Sequence, residues 1–154
     1  MAMIINELSV AQGFGSIQKV FNMKANEAIL FGMVCELSID AGVVTIKKGY
    51  SGTGMAYVAQ NSYTNADADA TMYPNSSIGD GVHTQIVAIP VVAPVEVEIP
   101  AARFAATPAV GDELEAGSNG LWAVAAGAGT VIGTITEATT DGFLVLLEKT
   151  VRAA

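Results

Sequence analysis

The stretch Ala109–Glu148, AVGDELEAGSNGLWAVAAGAGTVIGTITEATTDGFLVLLE, decides the fold of this chain. It divides into β-prone runs at Ala109–Ala116, Leu121–Val124, Thr130–Glu137 and Phe143–Glu148. Between them lie Gly117-Ser118-Asn119-Gly120, a link of small residues, and Thr139-Thr140-Asp141-Gly142. Asn-Gly and Asp-Gly supply the positive φ angles that tight reversals need. Strands this short, spaced by about ten residues, predict a β-sandwich or barrel.

The same rhythm extends upstream. Val95-Glu96-Val97-Glu98-Ile99 alternates strictly, which sends Glu96 and Glu98 to solvent and the other three to the core. Pro90 and Pro94 bracket Val91-Val92-Ala93 and mark an edge or a bulge. Pro100–Ala106 reads as one or two helical turns. Phe143–Leu147 is apolar on both faces, so it is a central strand or has one face against another subunit. Further strands are expected at Cys35–Asp40, Val43–Ile46, Met55–Ala59 and Val82–Ile89, with a turn at Asp40-Ala41-Gly42. Residues 61–81 show no period and form a long polar loop with Tyr63, Met72, Tyr73 and Ile78 scattered through it.

Residues 1–26 are set apart from the β domain expected over residues 27–154. Gly13 and Gly15 interrupt the weak helical spacing of Leu8, Val10, Ile17, Val20 and Phe21, each at about 1 kcal/mol against Ala. The segment is expected to be an extended arm, with a short helix at Ile17–Phe21 as the alternative. Phe14, Lys19 and Phe21 are its candidate partner-binding anchors. Deleting Ala2–Val20 is expected to leave the β domain folded.

The composition of the 154 residues agrees with an all-β, single-domain fold: 51% hydrophobic, 14% charged, and 16 glycines. Fifteen acids against seven bases give a net charge of −8, which disfavours contact with nucleic-acid phosphates. Residues 51–102 hold Asp67, Asp69, Asp80, Glu96 and Glu98 and no Lys or Arg. No run of about 18 apolar residues spans a bilayer, and Met1-Ala2-Met3-Ile4-Ile5-Asn6 does not read as a secretory signal. A soluble protein made in a reducing cytoplasm is expected. The single cysteine, Cys35, lies in an apolar context and is expected to be a small buried side chain.

No motif points to catalysis. His83 sits on an expected strand and has no Gly-x-Ser-x-Gly elbow to serve. Asn65-Ala66-Asp67-Ala68-Asp69 has the start of a calcium loop, but Ala70 and Ser76 stand where the turn glycine and the bidentate glutamate belong. Gly127–Gly133 is glycine-rich but leads into a β-branched run rather than a helix. Neither a metal nor a cofactor is expected.

The chain resembles the head decoration, or cement, proteins of tailed bacteriophages. The likeness rests on the Val110-Gly111-Asp112-Glu113-Leu114 step and the Gly-Ser-Asn-Gly hairpin. The Val131-Ile132-Gly133-Thr134-Ile135 strand and the closing Asp141-Gly142-Phe143-Leu144-Val145-Leu146-Leu147 strand complete it, with weaker echoes at Phe31–Val34 and Tyr57–Ala59. It implies a non-enzymatic virion protein on the outer capsid surface, made in the host bacterial cytoplasm. Its expected partners are the major capsid protein and itself as a homotrimer, with neither nucleic acid nor membrane. The alternatives are a tail or head-fibre subunit and a small β-barrel binding module.

Overall fold

The computed structural model describes residues 9–13, 20–25, 27, 29–60, 86–92 and 94–153. All of its long elements are strands. In chain order they are β1 (Ser9–Gly13), β2 (Val20–Ala25), β3 (Val34–Asp40), β4 (Val43–Lys48), β5 (Tyr57–Ala59) and β6 (Ile86–Pro90). Then come β7 (Val95–Pro100), β8 (Glu113–Ala116), β9 (Trp122–Val124), β10 (Gly129–Ala138) and β11 (Gly142–Arg152). A six-stranded antiparallel sheet runs in the order β1-β7-β11-β10-β8-β9, and β2-β4-β3-β5-β6 close a small barrel. The barrel closes through β2 and β4, which pair in parallel at Lys24↔Thr45 and Ala25↔Ile46.

The two-residue period of a strand explains how the layers join. Along β3 and β5, side chains alternate between two cores. Cys35, Tyr57 and Ala59 point into the barrel with Ala25, Ile29, Ile46 and Ala88. Val34 and Val58 point the other way, with Ile89, onto Val95, Val97, Ile99, Leu114, Trp122, Val145 and Leu147 of the sheet. Strand β5 is therefore buried on both faces. Cys35 is fully buried, and burial, reinforced by Glu27, pushes its thiol well above the usual range.

The expected alternation of β7 is present: Val95, Val97 and Ile99 are buried, and Glu96 and Glu98 face outward. Strand β11 is central, flanked by β7 and β10. At the hairpin before β9, Asn119 and Gly120 adopt φ values of 57° and 76°, as the Asn-Gly dipeptide predicts. At Asp141-Gly142 the reason for glycine differs. Gly142 has no positive φ, but a Cβ there would collide with the Ile99 carbonyl and lie 2.9 Å from the Ala101 nitrogen.

Helix is scarcer than the sequence suggested. Pro100–Ala106 gives one 3-10 turn, Ala101–Arg103, because Phe104 leaves it at once to bridge Trp122. The helical alternative at Ile17–Phe21 fails at its described end, where Val20 and Phe21 begin β2. Within residues 1–26, expected as an arm apart from the core, β1 pairs with β7 from Ser9↔Glu98 to Gly13↔Val95, and β2 belongs to the barrel. The polar loop at residues 61–81 lies outside the described residues.

Candidate functional site

The three anchors expected in the first 26 residues are not brought together among the described residues. Phe14 and Lys19 fall outside them, and Phe21 is placed by its backbone, in a barrel strand paired with β4 and β6. His83 and Asn65–Asp69 also fall outside. Among the described residues, no group of three His, Cys, Asp or Glu side chains could hold a metal ion, and no helix is long and apolar enough to cross a membrane.

A hollow of about 230 Å³ opens where the barrel meets the sheet, lined by Tyr50, Ser51, Gly52, Glu115, Ala116 and Thr130. Its hydroxyls are already engaged. Tyr50 donates to the Gly54 carbonyl (2.9 Å), Ser51 to Glu36 (2.9 Å), and Thr130 to the Gly52 carbonyl (2.9 Å). Lys149 donates to the same Gly54 carbonyl and lies over the Tyr50 ring. Burial alone would raise the Glu36 carboxyl. The Ser51 N–H and hydroxyl, and Lys47 at 3.2 Å, outweigh it and hold Glu36 below the usual range. These contacts fasten the loop after β4 to the sheet, so the hollow is a seam between layers whose hydroxyls are engaged.

A second fastening lies at the turn before β3. Trp122 Nε1 donates to the Gly32 carbonyl at 2.7 Å, and Arg103 Nε donates to the Phe31 carbonyl at 2.8 Å. The Arg103 guanidinium also sits 5.3 Å from the centre of the Phe31 ring. Trp122 is fully buried, while burial lowers the pKa of Arg103.

What the fold presents outward is broad surface of two kinds. The first is the sheet face turned away from the core. Strand register lays two rows across it: Glu98–Leu144–Glu137, and Glu96–Leu146–Thr134–Glu113. Leu144 and Leu146 are half-buried and belong to neither core cluster. A bulge between Ile135 and Glu137 turns Glu137 onto this face. Thr136, inside the bulge, donates to Glu96 at 2.8 Å, and Thr139 donates to Glu98 at 2.9 Å.

The second is the tip of the β3–β4 hairpin. Leu37 and Ile39 share their strand face with Cys35, and register sets them against Ile46 and Val44. Ile46 is inside the barrel, but Leu37, Ile39 and Val44 are 39%, 76% and 49% exposed. The hairpin outruns its neighbours: among the described residues β5 pairs with β3 only at Val34 and Cys35.

Compared with protein-family models, curated proteins and solved structures, the chain matches none.

Proposed function

We propose that this chain is a structural protein of a tailed-bacteriophage head, bound to the major capsid protein on the outer capsid surface and stabilising the shell. The resemblance of the segment from Val110 to Leu147 to head decoration proteins supports this reading. The observation that carries it is what that segment builds. Strands β8 to β11 form one continuous run of neighbours that turns Leu114, Ile135, Val145 and Leu147 inward and leaves a wide sheet face outward. A broad, rigid face suits docking onto a large flat partner. Among the described residues, the hollow beside Tyr50, at about 230 Å³, is smaller than the roughly 300–1,000 Å³ usual for a ligand cleft. The acidic charge fits the outside of a head better than contact with packaged DNA.

Self-association, with a homotrimer as the proposed form, is supported by the exposed aliphatic side chains at the β3–β4 tip, since monomers rarely leave such groups contiguous and uncovered. Phe14 and Lys19 stay proposed as anchors in the link between β1 and β2. The test is co-sedimentation of the full chain with purified empty heads, together with image reconstruction of the decorated particle. Saturable density outside the capsid lattice is the expected result. No binding to heads would end the proposal, and density on a tail or fibre would replace it with the alternative virion role.

A further inference from the structure

We infer that the outward face of the six-stranded sheet is the docking surface, and that it receives a basic, aliphatic-bearing segment of a different polypeptide. The inference rests on the head-protein reading for the partner's identity, but on the geometry of this face alone for the partner's chemistry. In the row Glu98–Leu144–Glu137 a leucine stands between two carboxylates, and in the row Glu96–Leu146–Thr134–Glu113 the next leucine stands between two more. Neighbouring strands lie about 4.8 Å apart, so the flanking carboxylates of the first row are about 10 Å apart across the leucine. Of the four glutamates on this face, only Glu113 has a cationic partner among the described residues, Arg152 at 3.6 Å. Thr136 and Thr139 hold Glu96 and Glu98 in place by hydrogen bonds.

Like charges gathered on one sheet face repel each other. A partner relieves that repulsion by placing Lys or Arg beside the carboxylates while its aliphatic side chains cover Leu144 and Leu146. A second copy of this chain suits the face poorly, because seven bases are set against 15 acids and Arg152 is already paired.

The probe is a fluorescently labelled peptide of alternating lysine and leucine, titrated into the full chain, with a glutamate–leucine peptide as control. Only the basic peptide is expected to bind, and more weakly as salt rises through the range where the Debye length falls below about 10 Å. The double variant Glu98→Lys/Glu137→Lys is expected to lose about tenfold or more in affinity, and Leu144→Ser to lose affinity at every salt concentration. Circular dichroism checks that each variant is folded, and Leu146→Gln replaces Leu144→Ser if that variant is not. Equal binding by wild type and charge-reversed protein overturns the inference, as does no binding of the basic peptide. The same variants are then tested on empty heads. If wild type binds heads and the variants bind equally well, this face is refuted and the head-protein reading stands. If the peptide result holds and no protein binds heads, the face stands and the head-protein reading falls.

Discussion

Replacing Trp122 by Phe tests how the two layers are locked. The indole is fully buried, and its N–H is the donor to the Gly32 carbonyl at 2.7 Å. Phenylalanine fills most of the same space but has no donor. Leaving the buried Gly32 carbonyl unpaired costs about 1–3 kcal/mol. The lost ring area adds about 1 kcal/mol at the usual coefficient for buried apolar surface. The expected loss is therefore about 2–4 kcal/mol, which lowers Tm by on the order of 10 °C in a chain of this length. Urea denaturation followed by far-UV circular dichroism measures it, since the variant has no tryptophan to report fluorescence. Arg103 holds the adjacent Phe31 carbonyl, so the two side chains fasten the same turn from the sheet side. Combining Trp122→Phe with Arg103→Ala should give a non-additive loss, with a coupling of about 0.5 kcal/mol or more. A loss below about 0.5 kcal/mol for Trp122→Phe, well under the cost of an orphaned buried carbonyl, would refute the claim that this bond locks the layers.

The depressed Glu36 carboxyl contributes stability that is present above its unfolded pKa and is lost as pH falls through the lower folded value. Wild type should lose part of its stability below about pH 4.5 and Glu36→Gln should lose less, as acid titrations of Tm will show. Gly142→Ala drives a methyl into the β7 backbone, which cannot yield like a side chain, so a loss of about 3 kcal/mol or more is expected in denaturant melts. Ile39→Lys should change monomer stability by no more than about 0.5 kcal/mol because the side chain is exposed. The same change should weaken self-association in sedimentation equilibrium, and an unchanged oligomer would exclude the hairpin tip as the interface. Deleting residues 2–13 removes β1 and bares the edge of β7, so a lower Tm and concentration-dependent aggregation are expected by light scattering.

What the sequence showed of the docking face, and what it hid, follows from the range of each physical signal. Alternation is local, so Val95–Ile99 revealed which way Glu96 and Glu98 point, and Phe143–Leu147 revealed a strand with a second apolar face. Turn chemistry is local too, and it placed the Asn119-Gly120 reversal correctly. Register is not local. That Glu98 sits beside Leu144, and Leu144 beside Glu137, depends on which strands neighbour β11 and on the bulge between Ile135 and Glu137. Simple alternation along β10 would have put Glu137 on the core side with Ile135; one extra residue reverses it. The same limit explains the first 26 residues. Gly13 and Gly15 weaken any helix and so predict an extended arm, yet pairing with β7 needs no intrinsic preference in β1 beyond an unpaired edge to join. A sandwich or barrel was legible, but which strands close the barrel was not, because closure depends on a short parallel contact at Lys24↔Thr45 and Ala25↔Ile46 between strands that are not sequence neighbours. The two-sided burial of β5 follows from that closure: once the barrel has an inside, Tyr57 and Ala59 fill it, and Val58 is left to bind the sheet.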